Sequence, residues 1–113
     1  MADKVELLIE ILLDPNARID ERDDAAMDLG KYNDDRALNA LISTTLGSNY
    51  EEFIMDTCGE SIAKIWIKRN QFDVHSYKNM NRIARIEIYK YIKCYKSEWI
   101  KEYELEKTAD FSD

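Results

Sequence analysis

The chain has 113 residues, of which 23 are acidic and 16 basic, giving a formal net charge of −7. This length fits one domain, the 45% apolar fraction excludes a disordered chain, and three glycines with one proline leave too little turn chemistry for a β-sandwich or barrel. The acidic balance disfavours a protein that neutralises nucleic-acid phosphates over a broad surface.

The first two predicted helices lie close together in the sequence. Residues 3–13 carry apolar side chains at positions 5, 8, 9 and 12, the spacing of one helix face. The turn Asp14-Pro15-Asn16 ends this helix. A second helix begins near Asp20, with Asp20 or Glu21 as its cap, and Gly30 is expected to end it in a left-handed conformation.

The third and fourth predicted helices are separated by Gly47. Asp34 is the expected cap of the third helix, whose apolar positions are 38, 41, 42 and 46. Ser48 and Glu51 then have the S-x-x-E spacing of a capping box. They start a fourth helix, which we expect to fray in the polar stretch 68–71.

The last predicted helix has an open start and a regular body. Its candidate caps are Asp73, Ser76, Asn79 and Asn81. Beyond them the positions 84, 88, 92, 95, 99 and 103 step by three or four residues, which predicts one continuous helix of about five turns. We therefore expect an all-α fold of about five helices in one domain, residues 1–107, followed by a loose tail, residues 108–113.

An internal repeat with an offset of 33 residues relates the two halves of this helical region. The large aliphatic positions 5, 8 and 9 map onto 38, 41 and 42, and the small residues 25 and 26 map onto 58 and 59. Large side chains fill the space between layers, whereas small ones let neighbouring helices approach closely. This alternation is typical of stacked helical hairpins.

One motif within the repeat is more specific than the periodicity. It reads Arg22-x-x-Ala25-Ala26-x-x-Leu29-Gly30, followed by Asp34-Asp35-Arg36-Ala37-Leu38 and Leu41-Ile42. In this motif the chain resembles the short HEAT-like repeats of the type found in phycobilisome lyases. The resemblance covers roughly residues 3–70, has a degenerate second copy with Met55 in place of the arginine, and implies an α-α superhelix. A plain helical bundle is the alternative.

Catalytic and metal-binding motifs are not found in the sequence. The one histidine, His75, lies in a polar segment and is expected to be solvated. Cys58 and Cys94 lack metal-site spacing and are expected to be buried free thiols, although Cys58 with His75 is a conceivable nucleophile and base. The acid pairs at 23–24 and 34–35 fit helix ends better than a glycosidase site. We therefore expect no enzymatic activity, no cofactor and no metal.

The N-terminal residues carry charges and lead directly into the first helix, which is unlike a signal peptide. The longest apolar stretch, residues 7–13, is much shorter than the roughly 20 residues of a membrane-spanning helix. A cytoplasmic protein without membrane contact is therefore expected.

Charge is distributed unevenly along the chain. Residues 1–60 hold 15 acidic and 5 basic side chains, net −10, whereas residues 61–113 hold 8 and 11, net +3. The acidic residues concentrate on the second and fourth predicted helices, which the repeat brings side by side. This surface is either a solvated face or an anionic platform for a basic partner. The predicted contact residues of the platform are Asp24, Asp28, Tyr32, Asp35, Asp56 and Glu60.

The helical array also resembles the HEAT-type immunity proteins that bacteria pair with delivered toxins, including those of contact-dependent growth inhibition. This resemblance implies an inhibitor that binds a cognate toxin domain as a monomer in a 1:1 complex. Such toxins are often nucleases, and a carboxylate-lined face can occupy a basic nuclease site in place of phosphates.

Two other functions are left open by the residues. One is a non-catalytic scaffold or adaptor for another cytoplasmic protein. The other is a small RNA-binding protein that uses the basic and aromatic side chains of the last helix. The apolar stripe 88, 92, 95 and 99 must face the core, which argues against direct contact with nucleic acid.

Overall fold

The computed structural model describes residues 3–47 and 51–105, and over these residues the chain forms seven helices and no strand. The helices are α1 (Lys4–Leu13), α2 (Ile19–Leu29), α3 (Asp35–Thr45), α4 (Glu52–Arg69), α5 (Val74–Asn79), α6 (Arg82–Tyr95) and α7 (Glu98–Glu102). The all-α prediction is confirmed. The expected capping residue Ser48 and the predicted tail, residues 108–113, lie outside the described residues.

Four helices begin with a side-chain cap. The capping residues are Asp3 for α1, Asp34 for α3, Asp73 for α5 and Asn81 for α6, and each accepts a hydrogen bond from a backbone N–H in the first turn. These bonds satisfy N–H groups that have no partner within the helix. The prediction of Asp20 or Glu21 as the cap of α2 is wrong, because α2 begins at Ile19 with Arg18 in the cap position.

The helices stack in two layers. Hairpins α1/α2 and α3/α4 lie side by side, with α1 against α3 and α2 against α4, and α6 packs on the other side of α4. Asp23 contacts Thr57, and Ala26 contacts Ser61 about one turn further along both helices. Helices α2 and α4 therefore run parallel, as expected for consecutive hairpins of a repeat.

Small residues allow helices α2, α4 and α6, which form one layer, to approach each other closely. The Ser61 hydroxyl donates a 2.8 Å hydrogen bond to the Ala26 carbonyl, and a Cβ at Gly30 would lie 2.7 Å from the Ser61 Cβ. On the other side of α4, a Cβ at Gly59 would lie 2.7 Å from the Ala84 carbonyl oxygen. The prediction of a left-handed Gly30 is wrong, because its φ is −65°. The absence of a side chain at Gly30 instead allows α2 to approach α4 at Ser61.

Two arginines of the repeat motif join helices at their ends. The Arg22 side chain donates a 2.9 Å hydrogen bond to the Leu12 carbonyl in the last turn of α1. The Arg36 guanidinium lies within 3.3 Å of three carboxylates, those of Asp3, Glu6 and Asp34. The Arg22 contact links α2 to the end of α1, and the Arg36 contacts link α3 to the start of α1.

The prediction of one continuous C-terminal helix of about five turns is wrong. Lys96 leaves the helical backbone at φ −152° and ψ 51° and ends α6. The chain then turns so that Trp99 and Tyr103 pack on Phe72, with ring centroids 5.5 and 5.1 Å apart. Burying this aromatic cluster is more favourable than continuing a solvated helix. Tyr95, which was expected in the core, is consequently 67% exposed.

Gly59→Ala tests the close approach of α4 and α6. In an ordinary helix this change stabilises by about 1 kcal/mol. Here we expect a loss of about 1–3 kcal/mol in the free energy of unfolding, because the new methyl group overlaps the backbone of α6. Urea unfolding measures the effect. Gly47→Ala is the control, since an added Cβ there meets no atom within 4 Å. A Gly59→Ala protein as stable as the wild type contradicts this packing.

Candidate functional site

The surface of α2, α4 and α6 that points away from α1 and α3 is called the outer face. On α4, Thr57 and Ser61 contact α2 and Gly59 contacts α6, so the positions between these two sides lie on the outer face. They form the stripe Phe53, Asp56, Glu60, Lys64 and Ile67, with Lys68 beside its end. This stripe begins acidic and ends basic, and a groove lies at each end.

The first groove, here the acidic groove, lies between the N-terminal halves of α4 and α6 and has a volume of about 710 Å³. Its lining residues are Glu51, Glu52, Phe53, Asp56, Ile83, Ile86, Glu87 and Lys90. Four carboxylates therefore surround an apolar wall with one ammonium group at the edge. Phe53 is 65% exposed, an unusual state for a large aromatic side chain. This combination fits a basic side chain that has apolar neighbours.

Two carboxyl groups from different helices lie together in the acidic groove. Partial burial raises the pKa of Glu87, and the neighbouring Asp56 carboxyl raises this pKa further through a hydrogen bond and its charge. The Lys90 ammonium, 3.5 Å from Glu87, opposes the shift without cancelling it. The surroundings thus penalise the charged form of Glu87, and a cation brought by a partner would remove this penalty.

The second groove, here the basic groove, lies over the C-terminal half of α4 and has a volume of about 510 Å³. Its lining residues are Gly30, Lys31, Lys64, Ile67, Lys68, Tyr91 and Tyr95. The rings of Tyr91 and Tyr95 contact each other with centroids 4.6 Å apart. Tyr95 was expected in the apolar stripe that faces the core, but it lies in this groove, whereas Ile88, Ile92 and Trp99 are buried.

Four of the six predicted contact residues lie on α2 and α4. Asp24 is exposed, and Asp28 forms a 3.1 Å ion pair with Lys31. Asp56 lines the acidic groove. Glu60 follows it by about one turn and lies 3.6 Å from the Lys64 ammonium. Their role in binding a partner stays a prediction.

The other two predicted contact residues are engaged elsewhere. The Asp35 carboxylate lies 2.8 Å from the guanidinium of Arg69, in the last turn of α4 and thus at the opposite end of that helix from Asp56. Tyr32 is half-buried against the core. The predicted set is therefore spread over the length of α4, whereas the acidic groove gathers Asp56 with Glu87 from α6.

The candidate nucleophile Cys58 is fully buried, and Cys94 is exposed, so the expectation of two buried thiols is wrong for Cys94. Burial, with a smaller effect of the Asp23 charge, raises the pKa of the Cys58 thiol to about 12. The thiolate that nucleophilic attack requires is then scarce near neutral pH. His75 lies exposed on α5. Within residues 3–47 and 51–105, no three His, Cys, Asp or Glu side chains are arranged to hold a metal ion.

Comparisons with protein-family models, with curated proteins and with solved structures find no match for this chain. The resemblance to HEAT-like repeats and to immunity proteins therefore stays a prediction from the sequence motif. In the described part of the chain, no helix combines the length and apolar character needed to cross a bilayer.

Glu87→Gln tests the electrostatics of the acidic groove. Since the pKa of Glu87 is raised above 4.5, the folded state retains a proton that the unfolded chain has lost, and stability falls as pH rises through this window. We expect Glu87→Gln to have a higher melting temperature than the wild type at pH 7. The difference should vanish near pH 3.5, where the wild-type carboxyl is protonated in both states.

The control for this measurement is Glu102→Gln, which neutralises an exposed carboxylate on α7. It should leave the melting temperature nearly unchanged at both pH values. A Glu87→Gln protein that is less stable than the wild type at pH 7 would mean that Lys90 dominates Asp56 in this groove.

Proposed function

We propose that this chain is a cytoplasmic immunity protein, a non-enzymatic inhibitor that binds a bacterial toxin domain of nuclease type and covers its basic active site. The observation that carries the proposal is the acidic groove, where carboxylates of α4 and α6 converge beside the exposed Phe53. The sequence resemblance to HEAT-type immunity proteins supports the same assignment.

Charge complementarity is the first element of the proposed inhibition. A nuclease holds the phosphates of its substrate with lysine and arginine side chains. Glu52, Asp56 and Glu87 would occupy the positions of those phosphates. The acidic chain, with its net charge of −7, would also speed the encounter with a basic domain by electrostatic steering.

The second element is an apolar anchor. Exposed aromatic side chains at the centre of an interface contribute much of the binding energy, while surrounding polar contacts exclude water. Phe53, with Ile83 and Ile86 beside it, supplies such an anchor next to the carboxylates. Both walls of the groove are helices held by the contact between Gly59 and Ala84, so little conformational ordering accompanies binding.

A scaffold or adaptor would use the same groove, so the two functions differ in the partner and not in the surface. Gene order separates them, because the gene of an immunity protein lies directly downstream of its toxin gene. The corresponding assay is growth of cells that express the neighbouring toxin domain with or without this chain. An adaptor gives no protection in that assay.

The acidic groove is tested by the double variant Glu52→Lys/Asp56→Lys, which reverses two exposed charges on α4. We expect affinity for the toxin domain to fall about 100-fold, mainly through faster dissociation if the groove is the centre of the interface. Surface plasmon resonance gives both rate constants. The matched control, Glu10→Lys/Glu102→Lys, makes the same charge change on α1 and α7 and should bind nearly normally.

The wider anionic platform predicted from the sequence is tested by replacing Asp24, Asp28 and Asp35 together with lysine. If this platform contributes to the interface, binding at low salt should weaken at least tenfold, through slower association. Intact binding of this triple variant would show that the platform is wrong. The interface would then be restricted to the acidic groove.

A further inference from the structure

The basic groove has no role in the proposed inhibition. Two of its three lysines are already paired, Lys31 with Asp28 at 3.1 Å and Lys64 with Glu60 at 3.6 Å. Lys68 has no ion pair among residues 3–47 and 51–105. The local excess of about one positive charge is too small for a polyanion such as nucleic acid, whose binding depends on neutralising many phosphates. The basic groove, with its small positive charge and its tyrosine rings, instead fits a partner surface that has a few carboxylates beside an apolar side chain.

The other end of the same face has this chemistry. Phe53 is 65% exposed and lies between Glu52 and Asp56 on the first turns of α4. At the opposite end the exposed ring of Tyr95 lies beside Lys68 in the basic groove. Each end of the outer face therefore presents an aromatic side chain, with carboxylates at one end and ammonium groups at the other.

This arrangement is self-complementary under a two-fold rotation. The stripe on α4 has Asp56 and Glu60 in its first half and Lys64 and Lys68 in its second half. A half-turn about an axis that lies in the interface, perpendicular to α4 and between Glu60 and Lys64, lays Asp56 over Lys68 of a second copy and Glu60 over its Lys64. The same rotation makes these contacts twice, as in an isologous dimer.

We propose that two copies of this chain form a two-fold dimer through their outer faces, with the acidic groove of each copy on the basic groove of the other. Helix α4 has 18 residues and is therefore about 27 Å long. With α2 and α6 on either side of it at ordinary helix spacings of about 8–10 Å, the outer face is comparable in area with the roughly 800 Å² per partner of a standard interface. The dimer covers two exposed aromatic side chains of the grooves, Phe53 and Tyr95. This inference does not depend on the identity of the partner in the proposed function.

The dimer has a regulatory consequence where the proposed function holds. It covers the acidic groove, so a second copy and a toxin domain compete for the same surface. The free protein is then dimeric, and the complex contains one copy of each chain. Binding the toxin requires the dimer to dissociate, which makes the apparent affinity fall as the concentration of this chain rises.

Charge-swap variants of the full chain test the dimer. One variant is Glu52→Lys/Asp56→Lys and the other is Lys64→Glu/Lys68→Glu. Size-exclusion chromatography with light scattering should give twice the mass of the chain for the wild type and the single-chain mass for each variant alone. In an equimolar mixture the two variants should pair. At one end the reversed acidic groove of one variant faces the reversed basic groove of the other, and at the other end two unchanged grooves of opposite charge face each other.

The controls make the same charge changes away from the outer face. They are Glu10→Lys/Glu102→Lys and Lys78→Glu/Lys101→Glu, all at exposed positions on other helices, and both should remain dimeric. Far-UV circular dichroism checks that every variant is folded. A monomeric wild type, or variants that stay monomeric when mixed, would overturn the proposal.

Two further measurements distinguish this dimer from the proposed inhibition of a toxin and from nucleic-acid binding. Lys64→Glu/Lys68→Glu should lose the dimer and bind the toxin domain at least as tightly as the wild type, since no dimer has to dissociate first. The dimer and the inhibitor function can therefore fail independently. Fluorescence anisotropy with a labelled single-stranded oligonucleotide should detect no binding at physiological salt. Binding to the wild type that this same variant abolishes would assign the basic groove to nucleic acid and would contradict the dimer.

Discussion

The spacing of α4 from its two neighbours controls the rest of the outer face. Ser61 on one side of α4 bonds to the backbone of α2, and Gly59 on the other side lies against the backbone of α6 at Ala84. Helices that meet through backbone and very small side chains leave little room for adjustment. The acidic and basic grooves are therefore preformed features of helix packing, and not products of mobile loops.

Because α2 and α4 run parallel, their charged ends lie side by side on one surface. Acidic residues stabilise the N-terminal end of a helix and basic residues its C-terminal end, as Glu52 and Lys68 do in α4. Stacking α2 and α4 in parallel places like ends side by side. On α4, Asp56 and Glu60 come from the part of the chain with net charge −10 and Lys64 and Lys68 from the part with net charge +3, and they form the acidic and the basic end of one face.

The candidate site was only partly accessible from the sequence. Asp56 was predicted from the density of acidic residues on its helix, and the structure places it in the acidic groove. Its neighbour Glu87 lies 31 positions later on α6, outside the repeat, and nothing in the local sequence links the two. Conversely, Asp35 was predicted in the same patch but pairs with Arg69 at the far end of α4.

Local sequence patterns were sufficient to predict helices α1 to α4, the Asp34 cap and the small residues of the repeat, because these depend on interactions within a few positions along the chain. Contacts between residues far apart in the sequence set the end of α6 and the second wall of the acidic groove. Periodicity predicts a helix through Lys96, but Trp99 gains more by packing on Phe72, 27 positions earlier. Such contacts carry no local signal, since each partner looks like an ordinary apolar residue until the chain folds.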